Sequence, residues 1–575
     1  MTQEDNIQFR RNTVAGATSS NPTLGAGEPG YETDSGRVKI GDGSTAWISL
    51  PYQDQLNFVD VGVEWAYEQT ASALTRKNLL GETVAPSIID WTRHPYFSQI
   101  KRCNLADDST YDDYEVTAWY GDPDFSYTGS NGQVMTWVPK GYSYEQHLPD
   151  TSGTSSKYRY YISHKPRPNF RLDPAFIYNE TELDGFFIGT FPACAYDVTG
   201  TATEVNTIEI TAEPTSAGNL TIVLDAHYSF TVAIVDADTI EGVIDKIVAA
   251  GVKTDYSGVT WTPLKVDASH VSYTAGSSGL KTTATMATAL GVTNTIVKTT
   301  SGAGGYVVND SLGVDYTASS GDKLSSVSGA LPLSGDNNAT NTMTNMRVLA
   351  HNRGSGWELQ NYNMVRWLQT CYLVRYADFD IQSKVSEGVT DLASGTGNQA
   401  LPSGYTAGVG TGSSDLGNTT GEVATITHPT TSEVTQAFSL FGIENWPTGN
   451  IYEWVDGINI KADRNPWIAD HGFADDTFTA PYVDTGLTLG ATTGYAKGVA
   501  LDPTKRFGFL PTSVGGSDST YLTDYYYQSA GNRAALLGGR WDKGAQAGAF
   551  AWYLHCAASI VGRSIAARLA FLPHN

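Results

Sequence analysis

The sequence predicts a β-rich α+β fold. Three observations lead there. The 575 residues include 59 Gly, 32 Tyr and 13 Trp, a composition suited to strands, loops and amphipathic aromatic surfaces. Short stretches alternate apolar and polar residues, as in Ile7-Gln-Phe-Arg-Arg11, the period of a half-buried strand. Helical spacing is confined to three stretches. Hydrophobic residues make up 40% of the chain, enough for real cores, and the length suits roughly three or four domains.

Residues 1–52 read as a small N-terminal β module. Ile7 to Arg11 is a strand. Glu28 to Gly43 reads as a hairpin, turning at Asp34-Ser35-Gly36 and again at Gly41-Asp42-Gly43, with Trp47 and Leu50 as apolar closure. So small a sheet has little core and is expected to pack on copies of itself or on a larger body. Residues 53–90 read as a helical linker. Phe58, Val61 and Trp65 have helical spacing in a helix placed from Phe58 to Leu80. Its apolar stripe would serve either as a trimer seam or as part of a core.

Residues 91–198 read as mixed β structure, with strands at Val134–Pro139 and Tyr158–His164, followed by Asp173-Pro-Ala-Phe-Ile177 and Phe186-Phe-Ile-Gly189. Residues 199–313 read as an inserted small α/β domain. Its strands are Thr207–Thr211, Asn219–Leu224, Ser229–Ile234, Val259–Trp261 and His270–Tyr273. Its helix runs from Asp238 to about Ala250, with Asp238 and Glu241 spaced as a capping box. Ile240, Val243, Ile244, Ile247 and Val248 form the apolar face.

Residues 314–575 resume the earlier pattern. A helix over about Asn361–Tyr376 buries Met364, Trp367, Leu368, Cys371 and Val374 by spacing. The Gly/Ser/Thr-rich stretch 390–435 reads as a long surface loop or a ragged hairpin. Regular structure restarts at Glu444-Asn-Trp-Pro447 and Trp454–Asn459. In the terminal segment an apolar strand, Ala534–Leu537, enters Gly538-Gly539-Arg540-Trp541. Small residues (Gly544, Ala547, Gly548) then alternate with large ones (Phe550, Trp552, Tyr553, His555), and a last strand spans Ala567–Phe571. This pattern suits a display surface better than a catalytic centre.

The formal net charge is −24, from 36 basic and 60 acidic side chains. Such a chain is repelled by phosphate backbones, which argues against nucleic-acid partners. Cys103, Cys194, Cys371 and Cys556 form no CxxC pair and read as buried thiols rather than metal or redox ligands. The chain starts Met1-Thr-Gln-Glu-Asp, unlike a signal peptide. The apolar stretch from Ala547 to Val561 is too short to span a bilayer and is broken by His555. Synthesis in a cytoplasm is the expectation.

The pieces Gln8-Phe-Arg-Arg11, Asn21-Pro22, Gly27-Glu28-Pro29-Gly30-Tyr31-Glu32-Thr33-Asp34 and Lys39-Ile-Gly-Asp-Gly-Ser-Thr-Ala-Trp47 resemble the N-terminal module of phage tail-fibre and receptor-binding proteins. That resemblance implies attachment to a tail or baseplate and a homotrimer. Further marks are Ala350-His-Asn-Arg-Gly-Ser-Gly-Trp357, Leu373-Val-Arg-Tyr-Ala377, Trp454-Val-Asp-Gly-Ile458, Leu510-Pro511, Asp524-Tyr-Tyr-Tyr527 and Leu536-Leu-Gly-Gly-Arg-Trp541 with Ala547-Gly-Ala-Phe550. With 91–198 and 314–575 taken together, these resemble the C-type-lectin-like fold of the phage major tropism determinant. Retroelement-diversified variable proteins and formylglycine-generating enzymes share that fold.

In that family the segment after Gly-Gly-x-Trp carries the ligand contacts. The resemblance therefore implies Arg540, Asp542, Gln546, Phe550, Trp552, Tyr553, His555, Val561 and Arg563 as ligand-binding residues, with Gly538, Gly539, Trp541 and Gly548 as scaffold. The period-2 spacing of Phe550 and Trp552 fits the core face of a strand equally well.

Catalytic readings find little support. The cysteine pair of the formylglycine-generating branch is missing, since Cys371 and Cys556 lie far apart. No G-x-S-x-G, H-E-x-x-H or P-loop motif occurs. Asp122-Pro-Asp124 and Asp378-Phe-Asp380 lack the further ligands of a calcium loop. No metal or cofactor is expected. The expectation is a non-enzymatic phage tail protein, located in the virion tail. It would bind a host-cell surface receptor, protein or glycan, and contact other tail or baseplate proteins. The alternatives are a structural baseplate or tail decoration protein and, with less support because no β-helix repeat is found, a glycan depolymerase.

Overall fold

The computed structural model describes residues 10–573, apart from 35–37, 51–60, 68, 86–88, 90, 92–93, 151–155, 225–227, 255–259, 279–283, 288, 301–302, 308–313, 336–339, 394–399, 408–419, 429–431 and 503–507. The described chain is β-rich with few helices.

Near the N-terminus, Arg10–Asn12 pairs parallel with Pro29–Glu32, which pairs antiparallel with Val38–Ile40. A short helix, Val14–Ser20, lies between the first two strands. The sequence reading did not anticipate it. Thr13 caps it, its hydroxyl accepting the Gly16 N–H at 3.1 Å. Trp47 and Leu50 close a small core with Ala17 and Leu24. The expected residues Ile7–Phe9 and Ser35-Gly36 lie outside the described residues.

The helix placed over Phe58–Leu80 is not formed. Gly62–Ala66 and Thr75–Lys77 are strands, pairing with each other, and Gly62–Ala66 also pairs with Lys157–Ser163; Phe58 itself lies outside the described residues. Val61 and Trp65 fit period 2 as well as period 3.6, and tertiary pairing selects the former. Val63 and Trp65 are fully buried. Glu64 faces the other way, against Arg159 at 2.7 Å and Lys157 at 3.3 Å.

A six-stranded sheet has the order Trp357–Leu359, Leu569–Phe571, Gly185–Gly189, Gln133–Pro139, Lys101–Leu105, Val116–Trp119. The last strand of the chain thus sits inside a sheet built mostly from 101–189. The largest sheet has the order Val483–Asp484, Pro466–Ile468, Tyr452–Ile460, Arg533–Leu537, Trp552–Leu554, Tyr525–Gln528, Gly494–Val499, Pro511–Val514, with Ile565–Ala566 parallel beside Tyr452 and Glu453. Arg568 ties the two sheets together. Its fully buried guanidinium holds Glu453 at 3.0 Å and donates to the carbonyls of Gly189 at 2.9 Å and Glu444 at 3.1 Å.

The helix Tyr362–Tyr376 lies in the main core. Asn361 caps it by accepting the Met364 N–H at 3.1 Å, and Ala377, at φ +54°, ends it. Met364, Trp367, Leu368, Cys371 and Val374 are fully buried, together with Val63, Trp65, Ile188, Val455, Phe550 and Trp552. Each such side chain contributes about 1.5–3 kcal/mol by leaving water. A second core, holding Trp357, Trp454, Leu536, Tyr553 and Phe571, packs separately.

Between 194 and 307, the long strand Cys194–Ile210 pairs with His270–Ser278, Asn294–Thr300 and Ala303–Val307. The helix Ile240–Ala249 buries Val243, Ile244 and Ile247. Its cap is Thr239, which accepts the Gly242 N–H at 3.1 Å; Asp238 instead accepts the Val235 N–H at 2.8 Å and pairs with Lys246 at 2.6 Å. These elements share a core of their own, from Ile208 to Ile296.

Part of the stretch read as a surface loop is interior. Leu401 is fully buried, and buried Glu444 accepts the N–H groups of Gly404 at 2.8 Å and Thr406 at 2.7 Å. Glu422–Thr427 and Val434–Leu440 form a hairpin. Residues 408–419 lie outside the described residues.

Candidate functional site

The terminal segment is set by two close backbone approaches. At Gly538 (φ +92°), a Cβ would stand 2.0 Å from the Pro447 carbonyl oxygen; at Gly548 it would stand 1.9 Å from an Asp524 carboxylate oxygen. Only glycine fits either place. The chain then enters the large sheet as Trp552–Leu554, between Arg533–Leu537 (antiparallel) and Tyr525–Gln528 (parallel), so that Tyr553 lies opposite both Leu536 and Tyr527.

Strand alternation now separates the aromatics. Trp552 and Leu554 go into the main core with Tyr526. Tyr553 and Tyr527 face the other way. There Tyr452, Tyr527, Leu536, Arg540, Lys543, Tyr553, His555, Ser564 and Ile565 line a pocket of about 260 Å³. The ring of Tyr553 lies 4.6 Å from that of Tyr452 and 6.4 Å, stacked, from that of Tyr527; His555 meets Tyr527 edge-on at 4.6 Å. Tyr527 is 42% exposed, so the pocket opens at that ring.

Arg540 is fixed by a bidentate pair with Asp542, Nε–Oδ1 2.6 Å and Nη2–Oδ2 3.0 Å, and donates to Ser564 at 3.1 Å. Burial works against its charge, and Asp542 outweighs that, holding its pKa above the ordinary arginine value. Burial and then Arg540 hold the Lys543 ammonium below its usual pKa. Burial, then Arg533 and Lys543, depress His555. Burial first, and then Tyr452, push the Tyr553 phenol well up, so it stays a neutral donor.

The nine residues expected to bind a ligand separate into groups. Arg540, Tyr553 and His555 line the pocket together. Asp542 stands behind it as the partner of Arg540. Gln546, Val561 and Arg563 are half-buried and do not line it. Phe550 and Trp552 need correction: both are fully buried, Phe550 against Phe379 and Phe509 at 5.1 Å and Trp552 against Tyr362 at 6.0 Å. Neither reaches a ligand, because core packing takes that face of the strand.

Sequence reasoning missed Tyr452, Tyr527, Leu536, Lys543, Ser564 and Ile565 as lining residues. Tyr527 stood in the noted run Asp524-Tyr-Tyr-Tyr527, and Lys543 lies within the segment. Tyr452 and Ile565 meet only through their parallel pairing, which leaves no local signal.

A second, polar pocket of about 600 Å³ lies against the His351–Trp357 turn. In it His351 Nε2 meets Glu358 at 2.7 Å, and the Tyr178 hydroxyl meets that of Tyr111 at 3.0 Å. Among the described residues no group of three or more His, Cys, Asp or Glu side chains is placed to hold a metal ion. All four cysteines are free and buried.

Residues 7–45 match the family model described as the major tropism determinant N-terminal domain. No curated protein matches the chain. Among solved structures, the major tropism determinant U1 variant aligns over 98% of this chain and 99% of its own, at 14% identity and a TM-score of 0.19. The P3c variant aligns over 98% and 99%, at 13% identity and a TM-score of 0.20. The M1 variant aligns over 99% and 100%, at 14% identity and a TM-score of 0.20.

Proposed function

We propose, from the premise that residues 7–45 are a major tropism determinant N-terminal domain, that this chain is a receptor-binding protein of a phage tail. The N-terminal match is the observation that carries the reading. The protein acts as a homotrimer in the virion tail, attached through its N-terminal module to other tail or baseplate proteins. Residues 91–198 and 314–575 act as a C-type-lectin-like receptor-binding domain carrying 199–313 as an insert. The work is binding, with no catalytic step.

The pocket under Tyr527 is the receptor site in this reading. Its walls are tyrosines, which give large contact area at low entropic cost, next to arginine and lysine. Tyr452, Tyr527, Leu536, Tyr553 and Ile565 stand on strands of the largest sheet, which fixes their backbone positions around the pocket.

The test uses the purified full-length protein and phage particles. Saturable binding of the protein to host cells, with loss of adsorption by particles lacking it, supports the reading. Normal adsorption by particles lacking the protein overturns it. A particle reconstruction separates it from a decoration role: the Tyr527 face buried against a neighbouring tail protein would favour decoration. Release of reducing ends from host capsule would instead establish a depolymerase.

A further inference from the structure

We propose that the pocket formed by Tyr452, Tyr527, Tyr553, Lys543 and His555 recognises a carboxylate group on its ligand, an inference that rests on reading this pocket as the receptor site. The polar side chains lining it are an arginine, a lysine, a histidine, three tyrosines and a serine; among the described residues no acidic side chain lines it. The nearby carboxylate, Asp542, is held in a bidentate pair by Arg540. The pocket is thus rich in donors and poor in anions, on a chain whose net charge is −24.

Two polar atoms in it, the Lys543 Nζ and the His555 Nδ1, have no hydrogen-bond partner among the described residues. The half-buried Lys543 ammonium makes no hydrogen bond or ion pair among the described residues. The His555 Nδ1 atom is buried with no hydrogen-bond partner, while its Nε2 meets the Cys556 thiol at 3.4 Å. An orphaned buried polar atom costs about 1–3 kcal/mol, and a pocket that carries one beside an unpaired ammonium is completed by an acceptor bearing negative charge. The electrostatics agree. Lys543 and His555 are both held below their ordinary pKa values, by burial first and then by neighbouring cations: Arg540 for the lysine, Arg533 and Lys543 for the histidine. Asp542 alone pulls Lys543 the other way. A bound carboxylate relieves this repulsion and favours the protonated form of both groups, and His555, held below the ordinary histidine value, is the one that takes up a proton on binding.

The carboxylate could come from an acidic peptide side chain or from an acidic sugar, and two probes separate these sources. N-acetylglutamate methylamide and methyl glucuronoside are titrated into the full-length protein, followed by NMR of the His555 ring and by calorimetry in buffers of different ionisation enthalpy. The expected result is saturable binding of at least one probe, roughly millimolar, with proton uptake, and a loss of about tenfold or more in Lys543→Met. The preferred probe names the source. Binding no tighter than that of the corresponding methyl esters, or unchanged in Lys543→Met, overturns the proposal. The same variant is tested on host cells. Wild-type binding to cells that Lys543→Met leaves intact overturns the carboxylate inference and leaves the receptor reading standing. Failure of the wild-type protein to bind cells removes the receptor reading, while the probe titration still judges the pocket.

Discussion

The Phe550 backbone N–H donates to the Asp524 carboxylate at 2.6 Å, and both residues are buried. This bond fixes the turn that delivers Trp552–Leu554 into the sheet. It also places a carboxyl group in the interior, where burial raises its pKa well above the usual range, against the smaller opposing effect of the Phe550 N–H.

The sign of the pH effect follows. An acid whose folded pKa is raised contributes stability that is complete below its unfolded pKa, about 4, and is lost as pH rises toward the folded value. Asp524→Asn keeps an oxygen acceptor for Phe550 and removes the titration. Its denaturant midpoint is expected to match the wild type at pH 4 and to exceed it at pH 7.5. Parallel pH profiles for the two proteins would show that Asp524 is not the titrating group.

Phe550→Ala and Trp552→Ala are expected to act on folding rather than on recognition. Each removes a fully buried aromatic from the main core, at a cost of about 3–5 kcal/mol. Chemical denaturation measures the loss. A stable Trp552→Ala protein that selectively fails to bind cells would contradict the core assignment.

Tyr527→Ala is expected to do the reverse. Its ring is 42% exposed at the mouth of the pocket, so truncation leaves the melting temperature nearly unchanged. Binding to host cells is expected to fall by about tenfold or more, or ~1.4 kcal/mol. Unchanged affinity would move the receptor site away from this pocket.

The thiols are expected to be inert in the folded protein. Burial pushes the Cys194 thiol up to about 12 and the Cys556 thiol up to about 11, and Cys103 and Cys371 are raised and fully buried. At pH 8 the thiolate population is negligible. A thiol reagent is expected to label none of the four until denaturant is added. Rapid labelling of native protein would contradict this burial.

Local pattern was legible where local physics decides. The helix over 362–376 announced itself by apolar spacing. The strands at Gln133–Pro139, Lys157–Ser163 and Gly218–Leu224 announced themselves by period 2 and β-branched or aromatic content. Gly62–Ala66 was misread because Val61 and Trp65 fit both periods, and its pairing partner lies some ninety residues away in Lys157–Ser163. Of the candidate site, Arg540, Tyr553 and His555 were legible in the terminal segment, whereas Tyr452 was not, because sheet pairing over long range is invisible to a local window.

The sequence by itself determined that the terminal segment alternates small residues with large aromatics and that the chain is strongly acidic. Only the tertiary structure decided which face of the alternation meets the main core and which meets the second core beside the pocket. Period 2 assigns residues to two faces without saying which faces inward. Seating Trp552–Leu554 between Arg533–Leu537 and Tyr525–Gln528 sends Trp552 into the main core and turns Tyr553 toward the pocket with Tyr527.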